Sequence, residues 1–268
     1  MSVVLQIRAE EDWKRLGEID PYYGVLSKDK YKLANIDDDA KQEFFASGAS
    51  HVNKVLAVLT NSYGFSTHGT ALDFGCGVGR ITNALAPHFE KVIGLDIAPG
   101  MLAEAERGNA KYGFNNIEYD SSFNSDRLRP EIYDFVHTWI VLQHIPIATG
   151  ENIIRTLIRS IKIGGVGAIH LTIADSRLRA GVLMKNAIKT TPVLRNIGNL
   201  LTGRPWNYPA MQMNRYSVQK VIQIFSECHV ENFTVFRVDN WGTIGLFIFF
   251  RKAPPGSSIS PWSNPVKR

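Results

Sequence analysis

Three glycines and two aspartates carry the clearest chemical signal in this chain. Asp73-Phe-Gly75-Cys-Gly77-Val-Gly79 lies where an apolar run, Thr70–Phe74, gives way to a helical pattern. Glycine there permits a tight turn and lets a ligand approach the main chain closely. The N-terminus of the helix that follows offers free N–H groups to polar ligand atoms. The spacing argues against two common nucleotide sites. A dinucleotide fingerprint would need glycine at position 80, where the chain has Arg80, and no Gly-Lys-Ser/Thr of a phosphate-binding loop is present. Asp73, two residues before the first glycine, would repel a pyrophosphate. It suits a ligand that carries positive charge, such as the sulfonium and amino group of S-adenosylmethionine. Asp96 follows the next apolar run, 91–95, at the strand end that faces the crevice of an open sheet. A carboxylate there can accept hydrogen bonds from both hydroxyls of a ribose.

These residues need a scaffold, and the surrounding pattern supplies one. Apolar strand-like runs at Thr70–Phe74, 91–95, 116–119, Tyr133–Thr138 and 166–173 alternate with helical spacing. Ile81, Ala84, Leu85 and Phe89 predict one helix, Pro99–Tyr112 a second, and Ile154, Leu157, Ile158 and Ile161 a third that Gly164-Gly165 ends. Strands alternating with helices predict an α/β fold, a doubly wound and mostly parallel sheet with helices on both faces. Residues 1–65 read as an N-terminal helical cap, 66–253 as the main domain, and 254–268, rich in Pro and Ser, as a disordered tail. The alternation breaks after the fifth strand, so 174–215 reads as a lid insertion. Ser217 then caps a helix to about position 228, and strands follow over 232–238 and Thr243–Arg251.

The ordered motifs Asp-Phe-Gly-Cys-Gly-Val-Gly, Val-Ile-Gly-Leu-Asp-Ile, Tyr-Asp-Phe-Val-His-Thr-Trp-Ile-Val-Leu-Gln-His-Ile and Ile-Gly-Gly-Val-Gly-Ala-Ile resemble class I S-adenosylmethionine-dependent methyltransferases. The resemblance runs over roughly 70–173 and resumes over 216–251. It implies a seven-stranded sheet with one antiparallel strand, Thr243–Arg251, and an enzyme whose cofactor S-adenosylmethionine leaves as S-adenosylhomocysteine. It also implies that Asp73, Gly75, Gly77, Gly79, Asp96, Ile97 and Trp139 surround that cofactor, with Gly75 and Gly77 at its methionyl part and Asp96 at its ribose. Many relatives contact the adenine with an Asp after the third strand. Here that place falls on Ser122 or Phe123, which would contribute a hydroxyl or a stacking face.

Methyl transfer needs alignment and exclusion of water more than covalent help, and a general base assists a hydroxyl acceptor. His144, after the fourth strand, and Asp175, after the fifth, are the candidate bases. Tyr22, Tyr23, Phe44 and Phe45 are candidates to cover the cofactor. Residues 176–226 hold eight Lys and Arg and no Asp or Glu, whereas the whole chain has a net charge of +5. A basic lid interleaved with apolar residues fits a small-molecule or glycan-type acceptor that is anionic or lipid-linked, and it allows peripheral contact with a membrane. Nucleic acid is disfavoured, because the rest of the chain is net acidic and Thr138-Trp-Ile-Val replaces the Asn/Asp-Pro-Pro-Tyr type motif of amino-group nucleic-acid methyltransferases. Two cysteines, no metal-ligand spacing, no signal-like start and no membrane-length apolar run lead us to expect a reduced, cytoplasmic protein.

Overall fold

The computed structural model describes residues 2–175, 192–201, 205–206, 208–230, 232–240 and 242–254. Strands β1 (Thr70–Phe74), β2 (Lys91–Asp96) and β4 (Tyr133–Thr138) are buried at nearly every position, as strands covered on both faces must be. With β3 (Ile117–Ser121), β5 (Ile161–Asp175), β6 (Phe233–Asn240) and β7 (Thr243–Arg251) they form one sheet in the order β3-β2-β1-β4-β5-β7-β6. Only β7 runs antiparallel, to both of its neighbours, so the expected doubly wound sheet of seven strands is the one observed.

Helices cover both faces. On one side lie α3 (Asp38–Tyr63), α4 (Thr82–Leu85) and α5 (Pro99–Tyr112), with Val52, Val55 and Leu59 of α3 packed against Ala71, Phe135 and Phe249 of the sheet. On the other lie α6 (Ile147–Ser160) and α8 (Val218–Glu227), whose Ile154, Leu157, Ile224 and Phe225 meet Leu72, Val136 and Phe250. Helix α7 (Pro192–Leu201) belongs to the segment after β5. Helix ends carry the expected caps. Asp37 accepts from Ala40 N (2.8 Å) to start α3, and Gly64 and Gly113, in the left-handed region, end α3 and α5.

The N-terminal region divides. Helices α1 (Ser2–Ile19) and α2 (Pro21–Val25) lie over the C-terminal ends of the strands, whereas α3 is an integral layer of the sheet. Two local expectations change. Pro87 lacks an N–H and stops the helix after Gly79 at one turn, followed by a 3₁₀ turn at Ala86–His88. Helix α6 ends at Ser160, not near Gly164, because Lys252 Nζ donates to the carbonyls of Arg159 (3.1 Å) and Ile161 (2.7 Å) and Ile161 pairs with Tyr133 of β4. Ile161 is buried either way, so helical spacing alone cannot mark that end. The proposed tail from 255 onward, and Arg177, Arg179, Lys185 and Lys189 of the lid, lie outside the described residues. No helix among the described residues is long and apolar enough to cross a membrane.

Candidate cofactor site

The glycine loop is fixed by its own backbone and by β2. Gly75, Gly77 and Gly79 have φ of +77°, +54° and +78°, a region that side chains avoid. Space is also closed at all three. A Cβ on Gly75 would lie 2.2 Å from Val141 Cγ2, and one on Gly77 would lie 2.6 Å from Val25 Cγ2. Gly75 N and Cys76 N both donate to Leu95 O, at 2.7 and 3.0 Å. Asp96 joins two crossover loops: Oδ2 accepts from Gly77 N and Oδ1 from Ala98 N, each at 2.9 Å. Burial raises the pKa of the Asp96 carboxyl, and the N–H groups of Ala98, Gly77 and Ile97 oppose that rise.

A cavity of about 360 Å³ opens at the strand ends beside this loop. Its floor is Phe74, Gly75 and Gly77 after β1 and Leu95, Asp96 and Ile97 after β2. Ser122 and Phe123 after β3 and Trp139, Ile140 and Val141 after β4 complete the wall. Ala9, Glu10 and Trp13 of α1 and Gly24 and Val25 of α2 roof it. Ile140 has φ of +61°, costly for a β-branched residue and found where the chain must turn into a site.

Arg80 also reaches the cavity, although it is only 6% exposed. Nη1 donates to Ser47 Oγ (3.2 Å) and the guanidinium lies 5.9 Å from the Phe44 ring centre. Nε is buried with no partner, and no carboxylate among the described residues forms an ion pair with this side chain. Burial pulls its pKa below the usual arginine value, while the charge of Asp73 works the other way. The sequence reading used Arg80 only to exclude a dinucleotide fingerprint. Its signal was there: it is the sole Lys, Arg, Asp or Glu between Asp73 and Glu90.

Of the residues singled out in sequence, Gly75, Gly77, Asp96, Ile97, Ser122, Phe123, Trp139 and His144 meet at the cavity. Asp73 and Gly79 are not on its wall. Asp73 is buried beneath the loop, where Oδ2 accepts from Thr82 Oγ1 (2.7 Å) and Oδ1 from His137 Nδ1 (2.9 Å). Gly79 faces the Tyr119 hydroxyl, 2.4 Å from where a Cβ would lie. His137 Nε2 lies 3.0 Å from His51 Nε2, and the His51 ring packs against Trp139. Burial, then the nearby His137, pushes His51 down to about 2.

Neither candidate base stands free at the cavity. Asp175 forms an ion pair with Arg215 at the end of β5, away from the wall. His144 is on the wall, but Nδ1 donates to Gln212 O (2.7 Å) and Nε2 faces the Gln143 amide nitrogen (3.1 Å). Thr172 Oγ1 donates to the Gln143 oxygen (2.6 Å), so the amide nitrogen is the donor and the imidazole is neutral. Burial pushes its pKa down to about 4. The aromatic cover differs as well. Tyr22 and Phe44 are buried in a cluster beside the site, and Trp13 and Val25, which sequence reasoning missed, form the roof. Among the described residues no group of three His, Cys, Asp or Glu is placed to hold a metal ion.

The family model described as "Methyltransferase domain" matches residues 71–165. Over those residues the chain resembles methyltransferase domains. A ubiquinone biosynthesis O-methyltransferase of Pseudomonas savastanoi is 33% identical over 96 residues, 35% of this chain and 40% of the relative. The chain thus spans less than half the length of that relative. Among solved structures, a magnesium protoporphyrin IX methyltransferase of Synechocystis with bound S-adenosylhomocysteine covers 93% of this chain and 97% of its own, with a TM-score of 0.54 and 17% identity. A phosphoethanolamine N-methyltransferase of Haemonchus contortus, in complex with S-adenosylmethionine, covers 75% of this chain and 53% of its own, with a TM-score of 0.54 and 16% identity. The ligands named for those two structures are S-adenosylhomocysteine and S-adenosylmethionine.

Proposed function

We propose that the chain is an S-adenosylmethionine-dependent methyltransferase that methylates an oxygen of an anionic small-molecule or glycan-type acceptor. The observation that carries this reading is the pairing of two unlike charges along one cavity. Asp96, pinned by two main-chain N–H groups, stands at one place, and Arg80, buried with an unpartnered Nε, stands at another. The residues fit the group. Asp96 accepts the ribose hydroxyls, and Gly75 and Gly77 leave room that a side chain would fill. Arg80 pairs with the methionyl carboxylate, and Ser122 and Phe123 border the adenine. The cofactor, when bound, supplies a methyl group activated by a sulfonium leaving group.

The protein's own part is alignment and exclusion of water. Trp13 and Val25 close the roof, and Trp139 and Ile140 shape the wall where an acceptor approaches. With His144 tied at both nitrogens and Asp175 paired with Arg215, the favoured acceptor oxygen is one that ionises unaided, such as a carboxylate or phenolate. The acid-free stretch 176–226 suits such an anion.

Calorimetric titration with S-adenosylmethionine, S-adenosylhomocysteine and NAD tests the cofactor. Binding of the first two and not of NAD is the expected result; failure of both sulfur compounds to bind would overturn the reading. For the acceptor, reversing Arg177, Arg179 and Lys185 to Glu is expected to lower acceptor affinity and leave cofactor affinity intact. Equal loss of both, or of neither, would remove the anionic-acceptor assignment.

A further inference from the structure

Helix α7 is turned the wrong way round for a helix that packs on its own protein. Its asparagines face inward. Asn199 Nδ2 donates to the carbonyls of Trp206 (3.2 Å) and Tyr208 (3.1 Å), and the Asn196 amide, with its oxygen toward the indole, accepts from Trp206 Nε1 (3.0 Å). The apolar residues of its C-terminal half face outward: Leu201 is 82% exposed, Leu200 56%, and Ile197 is exposed too, as is Trp206 of the turn that follows. Isolated exposed leucines are ordinary, but a helix that spends its polar side chains on its own turn and presents leucines to solvent is not.

The same corner holds another exposed apolar side chain. Asp20 accepts from Leu33 N (2.8 Å) and from the Tyr208 hydroxyl (3.4 Å), which ties the α7 turn to the loop after α2, and Leu33 is 59% exposed. The Tyr208 N–H donates to Pro205 O (2.9 Å) and closes that turn. The stretch that contains α7, residues 176–226, has eight Lys and Arg and no acid. Leucine and tryptophan outward, with cations and no anions in the flanking sequence, is the composition of a helix that lies in the plane of a negatively charged membrane surface.

We propose that α7 and the Trp206 turn form a docking surface for an anionic lipid bilayer, with Leu200, Leu201 and Trp206 entering the headgroup region. The proposal does not depend on methyl transfer, because its readout is lipid binding.

The experiment is co-sedimentation of the full chain with phosphatidylcholine vesicles, with and without about one-third phosphatidylglycerol. The chain is expected to partition onto the anionic vesicles and to leave them as salt is raised. The double substitution Leu200→Ser with Leu201→Ser is expected to lower the partition coefficient by at least about tenfold. Its melting temperature and its affinity for S-adenosylmethionine, measured on the same sample, are expected to stay at the parent values. Absence of partitioning, or partitioning unchanged by the double substitution, would overturn the proposal. So would sedimentation showing a dimer of the parent chain that the same substitution dissolves, since the surface would then be an interface between copies.

Discussion

Replacing Arg80 by methionine should separate a ligand-binding arginine from a structural one, because the two roles predict opposite signs. The guanidinium is buried, has Nε unpartnered and forms no ion pair among the described residues, so the cofactor-free protein carries a buried charge that Asp73 offsets only from a distance. Such a charge costs several kcal/mol, of order the penalty measured when one partner of a buried pair is lost. Methionine keeps an apolar stem and forfeits the Ser47 hydrogen bond and the Phe44 ring contact, about 1 kcal/mol each. The thermal midpoint of the cofactor-free protein should therefore hold or rise. Cofactor binding should move the other way. A charge-assisted bond to the methionyl carboxylate contributes about 1.5–3 kcal/mol, so Kd for S-adenosylmethionine should rise by roughly 10- to 150-fold. Decarboxylated S-adenosylmethionine provides the control, since parent and Arg80→Met should bind it alike. Calorimetry reads the affinities and differential scanning the stability. A variant that melts lower and binds S-adenosylmethionine as tightly as the parent would show that Arg80 is a packing residue, and the assignment would fail.

Three further outcomes follow from the same geometry. Asp96→Ala should weaken S-adenosylmethionine binding at least about tenfold by calorimetry and also lower the melting temperature, since Gly77 N and Ala98 N lose their acceptor; an unchanged Kd would remove Asp96 from the ribose. Gly77→Ala should weaken binding because its Cβ meets Val25, and adding Val25→Ala should restore part of the loss; a double variant no better than the single one would place the fault in the backbone at φ +54°. Acid should destabilise the protein early. His144 and His170, both held down to about 4 mainly by burial, bind protons only in the unfolded chain between their folded value and the ordinary 6.5. Their folded pKa is depressed, so stability is complete above about pH 6.5 and falls as pH drops toward 4, by about 2 kcal/mol for each at pH 5. Urea unfolding at pH 7 and pH 5 should show it, and a His170→Asn variant should lose less than the parent; equal losses would exclude His170 as a source.

The sheet was legible because its signal is redundant. Tyr133–Thr138 and Thr243–Arg251 are apolar runs bounded by turns, and the structure returns both with the predicted ends. Helix ends were legible where a cap is local in sequence, as with Pro99 and Ser217, and illegible where the cap comes from far away. Lys252 ends α6 from 91 positions downstream of Ile161, and no window around Ile161 contains that information. The site followed the same division. The position of Asp96 on the cavity wall was legible because a strand end fixes where its side chain goes. Asp73 and His144 were misjudged because residue type gave the chemistry, but the partners that consume it lie elsewhere: His137, 64 positions on, and Gln212, 68 positions on. Trp13 and Val25 carried no motif at all, since a roof is defined by what it covers.

The position of Asp73 changes the reason this loop refuses a pyrophosphate. Repulsion by Asp73 acts only from below the loop, where its oxygens accept from Thr82 and His137, so it is one part of the cause and not the whole. The rest of the explanation lies in the donors. A glycine loop at a helix start binds phosphate through main-chain N–H groups that point at the ligand. Here Gly75 N and Cys76 N are spent on Leu95 O, Gly77 N on the Asp96 carboxylate and Gly79 N on Cys76 O. What the loop presents to the cavity is therefore a carboxylate that has already consumed a donor, and a neutral main chain whose Gly75, Cys76, Gly77 and Gly79 N–H groups are engaged. Arg80 is the one Lys or Arg among the described residues of the wall, and it offers a place for a single negative group. A ligand with ribose hydroxyls at Asp96, one carboxylate at Arg80 and positive charge between matches these two charged groups of the wall. A dinucleotide would bring two phosphates to the Asp96 carboxylate and to a loop in which the N–H groups of Gly75, Cys76, Gly77 and Gly79 are already engaged.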